Sequence, residues 1–497
     1  MFMTRCLLTV GLGVGWFAGV GAALADDASE ARPNIVFIMS DDHAAHATGT
    51  YGGRLSELDP TPHLDKLAEE GMRFDRAYAT NSICTPSRAT LLTGQYSHLN
   101  GVPVFNPIDP ERAVFPTMLQ QAGYYTALIG KWHLGSDPVG FDDWEIFPGQ
   151  GAYWNPAFYT ATGQRKYEGH ASDVTTDLAI ERLKDRPADK PFMLMVHHKA
   201  PHRNWQPHPR HQAKYKELKI PEPENLFDDY SSRTNAIHEQ RQSVARDLNK
   251  NDLKQDPPPG LSEDELVRWK YQRYMQDYLA CVQGVDDSIG RITDWLDEHG
   301  LKENTVVIYT SDQGFFLGEH GMYDKRFMYE ESARMPLVVR WPAAVKPSAV
   351  CEALVTNCDF APTFLDLAGL PPSPEMQGRS LVPLLRGEQP EDWRTAFYYR
   401  YYHDPGDHNT RAHYGIRTAT HKLIYFWRKD QWECYDLVAD PQEMHNIYED
   451  PAAAEAVAGL KEQLKELKQA ARDEDQFAQK QPKENANVRQ KQPSARN

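Results

Sequence analysis

Short apolar runs that alternate with helical stretches dictate the fold class of this chain. Residues 34–39 read Asn-Ile-Val-Phe-Ile-Met, a continuous apolar run of strand length. A run without polar alternation is expected of a strand covered on both faces, as in a parallel sheet. Comparable runs occupy 125–129, 192–196 and 305–310. Helical stretches lie between them at 62–70 (stopped by Gly71), 115–121, 173–183 and 262–298. This alternation predicts an α/β fold with a large, mostly parallel or mixed sheet sandwiched by helices, over residues 26–386. From about Gly387 the composition shifts to aromatic, strand-like runs at 396–402 and 422–427. A helix with Val457, Leu460, Leu464 and Leu467 on one stripe follows. These predict a smaller C-terminal α+β domain at 387–474 and a polar, disordered tail at 475–497.

The first 25 residues read as a secretory signal outside that fold. Arg5 supplies a positive start, residues 7–20 are free of charge, and Ala23-Leu24-Ala25 offers a cleavage site. Glycines interrupt the apolar run and acidic residues follow it, which argues against a retained anchor. The expected product is exported, periplasmic or secreted, with no membrane span after cleavage. Cys6 leaves with the signal, so five of the six cysteines remain. That odd number leaves one unpaired, and Cys84 is the candidate; Cys351 and Cys358 could pair, which the sequence does not establish. A net charge of −16 argues against a nucleic-acid partner.

In an open α/β sheet, ligands collect beyond the carboxyl ends of the strands. All four apolar runs empty into polar clusters at those ends: Asp41-Asp42, Lys131-Trp132-His133, the stretch His197 to His202, and Ser311-Asp312-Gln313-Gly314. One such cluster alone reads as a turn or a helix cap. Four together read as a site, with the polar insertion at 208–260 near its mouth. Asp41, Asp42, Asp312 and the Gln313 amide form an oxygen-rich set that needs a cation, Ca2+ or Mg2+, with Ca2+ preferred for its tolerance of irregular geometry. Cys84-Thr85-Pro86-Ser87-Arg88 adds a cysteine ahead of a helix opened by Pro86. Residue 84 then sits at the positive end of that helix, with Arg88 one turn inside.

The C-x-P-x-R spelling at Cys84, with Gly130-Lys131-Trp132-His133-Leu134-Gly135, Ala200-Pro201-His202, Ser311-Asp312-Gln313-Gly314 and Asp324-Lys325-Arg326, resembles type I sulfatases of the alkaline phosphatase superfamily. The likeness continues through 359–369 and into Tyr435-Asp436-Leu437. It implies an alkaline-phosphatase-like fold and a sulfuric ester hydrolase. It also implies that a maturation enzyme oxidises Cys84 to formylglycine (3-oxoalanine), whose hydrate attacks sulfur. Asp41, Asp42, Asp312, Gln313 and modified residue 84 would hold Ca2+; Gln313 departs from the Asn or His common there, and its amide oxygen still serves. Arg88 would stabilise the hydrate, and Lys131 and Lys325 would bind sulfate oxygens. His202, assisted by Lys325, would protonate the leaving oxygen, and His133 would act as base. Segments 199–207 and 408–417 resemble glycan-directed bacterial sulfatases, including N-acetylglucosamine-6-sulfatase-like members. They offer Arg203, Trp205, His408, Arg411 and His413 as sugar contacts. The expected substrate is a sulfated carbohydrate of glycosaminoglycan type, a 6-O-sulfated hexosamine among the candidates. The rivals are a phosphonate monoester or phosphodiester hydrolase using the same modified cysteine, and an inactive glycan-binding protein.

Overall fold

A computed structural model describes residues 32–485, together with Met1. The expected signal peptide and the last twelve residues lie outside the described residues. Residues 32–485 form one compact unit. Among the described residues its main sheet has ten strands: β1 (Asn34–Ser40), β2 (Met72–Phe74), β3 (Tyr125–Gly130), β4 (Asp143–Ile146), β5 (Ala157–Thr160), β6 (Gly163–Lys166), β7 (Phe192–His197), β8 (Thr305–Ser311), β9 (Leu337–Arg340) and β10 (Ala349–Cys351). Their order is β10-β2-β9-β8-β1-β7-β3-β4-β5-β6. The four strands expected from the apolar runs form its parallel centre, β8-β1-β7-β3. Antiparallel pairing of β9 with β8, of β5 with β4 and of β6 with β5 makes the sheet mixed.

Every residue of β1, β7 and β8 is buried, which is why those runs carry no polar alternation. Two apolar layers cover the two faces. One takes Val36, Ile38, Leu194 and Val196 with the long helix Glu263–Glu298; the other takes Phe37, Met39, Met193 and Met195 with Phe360 and Phe364. The long helix starts where Ser262 caps it, in a reciprocal pair with Glu265.

A second sheet of four antiparallel strands follows: β11 (Ala396–Tyr401), β12 (His413–Thr418), β13 (His421–Phe426) and β14 (Gln431–Asp436). The helix Ala454–Ala470 packs on it through buried Val457, Leu460 and Leu464, with Leu467 half-buried at the margin. Buried charge joins this sheet to the main body. Glu330 accepts from Tyr78 at 2.7 Å and pairs with Lys422 at 3.0 Å and Arg417 at 3.3 Å. No helix among the described residues is long and apolar enough to cross a membrane. The five described cysteines are free thiols, Cys351 and Cys358 included.

Two expectations need correction. Residues 475–485 pack against the protein, held by Arg400, Tyr402 and His403, because polar side chains there find partners that composition does not reveal. Trp205, expected to stack on sugar, is 0% exposed and packs against Tyr274, with the rings of Tyr278 and Phe315 edge-on to it. A ring enclosed on all sides has no face for a ligand. Trp205→Ala should therefore lower stability by about 3–5 kcal/mol, read as a fall in the unfolding midpoint. A variant of unchanged midpoint with a raised KM would restore the sugar-platform reading.

Candidate active site

Strand register brings the acidic residues together. β1 and β8 run in parallel with Ser40 opposite Ser311, so Asp41-Asp42 and Asp312-Gln313 leave the sheet side by side. The Asp42 N–H donates to Asp312 Oδ1 at 3.2 Å, and Tyr278 of the long helix donates its hydroxyl to the Asp42 carbonyl at 2.9 Å. Gly130 ends β3 at φ +107°, where a Cβ would lie 1.9 Å from the His197 carbonyl oxygen. Only glycine allows β3 and β7 to stay that close as Lys131 turns into the site.

The helix behind Cys84 runs Cys84–Thr93, entirely buried, and Gly94 stops it at φ 64°. It starts two residues earlier than the Pro86 opening predicted, because Pro86 fits anywhere in the first turn, where no N–H is needed. Cys84 is thus the first helical residue, at the end favourable to anions. Arg88 reaches back from one turn inside. It holds Asp312 at 2.9 Å and donates to the Lys131 carbonyl at 2.6 Å, tying three segments together.

Asp41, Asp42 and Asp312 offer ligand oxygens within 4.8 Å of one another. Lys131 contacts Asp41 and Lys325 contacts Asp42, while the Gln313 amide lies 2.5 Å from Asp42 Oδ1 and 3.8 Å from Cys84 Sγ. Asp41 Oδ1, Asp42 Oδ2 and Gln313 Oε1 are buried without a hydrogen-bond donor. Orphaned oxygens in one cluster, with no thiolate pair or histidine triad, fit a hard cation. Burial pushes Asp312 up to about 7, helped by the Asp41 charge, and Asp42 up to about 6 against the pull of Lys325. Burial acts on Asp41 too, yet Lys131, His202, Arg88 and Lys325 hold it well below the usual carboxylate range. The Cys84 thiol is pushed up to about 12 by burial and the nearby Asp41 charge. It stays protonated at neutral pH and is no nucleophile in that form.

His202 Nδ1 lies 2.5 Å from the carbonyl of Arg203, which only accepts, so Nδ1 carries the proton and Nε2 faces Asp42 Oδ2 at 3.7 Å. Burial holds this imidazole well below its ordinary pKa. His133 sits beside Thr85, whose hydroxyl donates to the His133 carbonyl at 3.0 Å with Nδ1 3.3 Å away.

Of these groups, Asp42, Cys84, His202 and Lys325 line a cavity of about 280 Å3, and the rest lie buried behind them. Of the five expected sugar contacts, Arg203 and His408 lie on its walls. Asp252 braces Arg203 from the 208–260 insertion at 2.6 Å, and Asp324 holds His408 at 2.8 Å. The others are elsewhere. Arg411 is committed to Glu239 at 2.8 Å, and His413 is buried between the rings of Tyr399 and Phe327. His413 opens β12, opposite Tyr401 of β11, and Arg411 lies in the connection just before it. Sequence reasoning missed Phe105, Gln150, Asp324, Arg326 and Asp407 as wall residues. Asp324 and Arg326 flank Lys325, which was a signal; Phe105 and Gln150 offered none. Asp42, His133, Asp324, Arg326 and His408 all have φ between 58° and 97°, in the left-handed region. Non-glycine residues held there mark backbone strain gathered at one place.

The Sulfatase family model matches residues 33–370, and one for the N-sulphoglucosamine sulphohydrolase C-terminal region matches 318–470. The chain is 45% identical to an N-acetylglucosamine-6-O-sulfatase of Bacteroides thetaiotaomicron, across 89% of this chain and 88% of that protein. It is 28% identical to human N-acetylglucosamine-6-sulfatase, across 84% and 81%. A solved structure of BT4656 bound to its substrate D-glucosamine-2-N,6-O-disulfate superposes with a TM-score of 0.87 at 44% identity, covering 89% of this chain and 99% of that one. A phosphonate monoester hydrolase from Silicibacter pomeroyi shares the fold, with a TM-score of 0.73 at 24% identity over 89% and 97%. With a family match over most of its length and a relative 45% identical across nearly nine-tenths of both chains, the chain belongs to the sulfatases, hydrolases of sulfuric esters.

Proposed function

We infer that this sulfatase removes 6-O-sulfate from a hexosamine of an exported, glycosaminoglycan-type glycan, with Ca2+ and a formylglycine made from Cys84 in its active form. The observation that carries the reading is Cys84 at a helix N-terminus on the floor of a cavity ringed by Lys325, Arg326, Arg203, His202 and His408. The two N-acetylglucosamine-6-sulfatases and the BT4656 complex support the sugar and the position. The signal at 1–25 supports export, and the high pKa of the Cys84 thiol supports a maturation enzyme that replaces it.

Ca2+ held by Asp41, Asp42, Asp312 and Gln313 would supply Lewis-acid stabilisation of sulfate oxygens, and formylglycine would supply the oxygen nucleophile. The side chains present do the rest. Lys131 and Lys325 bind sulfate oxygens and neutralise charge that spreads as the S–O bond lengthens. Arg88 fixes Asp312 and the Lys131 backbone, holding the floor rigid. The Arg203 carbonyl keeps the proton of neutral His202 on Nδ1. An incoming anionic ester favours a second proton on Nε2, which His202 then gives to the leaving sugar oxygen. His133 takes a proton beside residue 84 when sulfate is released.

Two outcomes follow. Cys84→Ala should lower kcat by about a thousandfold or more while a sulfated glucosamine still binds, and mass spectrometry of the active enzyme should find an aldehyde at residue 84. A thiol there in fully active protein would end the proposal. Rates on aryl sulfate should exceed those on a phosphodiester; the reverse ranking favours the phosphonate hydrolase. The second outcome concerns pH. Asp42 and Asp312 have folded pKa values of about 6 and about 7, above their ordinary 3.8. In chelator-treated protein their contribution to stability is full below about pH 4 and fades as pH rises through about 6–7. Ca2+ binds the ionised form, so added Ca2+ should raise the melting midpoint more at pH 8 than at pH 5. An equal Ca2+ shift at both values would remove these residues as the cation's ligands.

A further inference from the structure

Residues 473–485 run back to the mouth of the cavity, and no step above uses them. A ladder of contacts sets their course. Asp473 pairs with Arg400 at 2.6 Å and accepts from Tyr398 at 2.7 Å. Asp475 takes another bond from Arg400 at 2.7 Å and one from Lys468 at 2.9 Å. Phe477 lies edge-on to Tyr402. Beyond it the Gln481 amide donates to the Tyr402 carbonyl, Glu484 pairs with His403 at 2.5 Å, and the Asn485 N–H donates to the Phe105 carbonyl at 3.0 Å.

The last three contacts fall on two separate loops. Tyr402 and His403 open the loop after β11, which carries Asp407 and His408 to the cavity wall. Phe105 lies far earlier in the chain, between the short helix Ser97–Asn100 and the helix Phe115–Gln121, and it lines the same cavity. The loops meet ring to ring, with His403 6.1 Å from Phe105 and Phe105 6.0 Å from His133 between centroids. Loops are the mobile parts of a rigid scaffold, and their spacing defines this wall. A segment bonded to both loops fixes that spacing. It costs little, because Asp473 and Asp475 already anchor it to Arg400.

We propose that residues 481–485 are a clasp that ties the Phe105 loop to the His403–His408 loop and sets the width of the sugar end of the cavity. Gln481 and Glu484 are positioning residues: they hold walls that meet the sugar and touch none of Cys84, Lys131 or Lys325. Their loss should therefore appear in KM for a sugar and spare the sulfate end.

The test compares the full chain with a chain ending at Lys480 and with the double variant Gln481→Ala/Glu484→Ala, using one 6-sulfated hexosamine and one small aryl sulfate. For both altered proteins we expect KM for the sugar to rise about tenfold, with kcat within about threefold and aryl sulfate KM unchanged. Melting midpoints report folding. If the shortened chain melts lower, the double variant decides, since both its substitutions fall on half-buried tail side chains. An unchanged sugar KM in the double variant, or an equal loss on both substrates, overturns the clasp. The assay rests on the substrate reading above, whose own failure looks different: the full chain would cleave aryl sulfate and no 6-sulfated hexosamine. The comparison then uses the sulfated sugar that the full chain does cleave.

Discussion

Three carboxylates buried side by side at the end of a sheet are the arrangement on which this molecule turns. Taking each ionised group out of water costs on the order of several kcal/mol, and neighbours of like sign add to that. Asp41, Asp42 and Asp312 tolerate it because cations from distant parts of the chain converge on them: Arg88, Lys131 and Lys325. The same low dielectric that makes the burial costly strengthens any interaction with an incoming sulfate. Stability and reactivity thus draw on one set of charges. Removing any one cation would leave a carboxylate unpaired and the anion site weakened together.

The sheet supplies the rigidity this requires. Parallel strands fixed by register deliver Asp41 beside Asp312 and Lys131 beside His197 with little freedom. The helix from Cys84 then inserts Arg88 between them, bonding one segment through its side chain and another through its backbone. Strained backbone at Asp42, His133, Asp324, Arg326 and His408 is held by this surrounding structure. The C-terminal sheet adds part of the wall, through the loop carrying Asp407 and His408, and is fastened to the main body by the pair of half-buried Glu330 with buried Lys422. One part of the wall therefore comes from a different sheet than the floor.

The cluster at the strand ends was legible in the sequence because each strand is a continuous apolar run with its polar residues beyond one end. Nothing else in such a run competes for the site, so Asp41, Asp42, Lys131, His133, His202, Asp312 and Gln313 stand out. The walls were not legible in the same way. Trp205, Arg411 and His413 looked like sugar contacts by residue type and by their place in suggestive segments. Trp205 instead fills the space beside Tyr274, and strand pairing buries His413 among aromatic rings. Phe105 and Gln150 lie in connections with no periodicity, where chain direction cannot be read from residue type.

By itself, the sequence determined the α/β class, the parallel centre of the sheet, the strand ends that carry the acidic and basic residues, and the cysteine ahead of its helix. Those are local facts, set by apolar periodicity and turn chemistry within a few residues. Tertiary structure alone decided which aromatic and basic side chains face the cavity, and that residues 475–485 lie ordered along its rim. Those outcomes depend on contacts between segments far apart in the chain. Burial or exposure of one side chain there is settled by what packs against it, which no local pattern records.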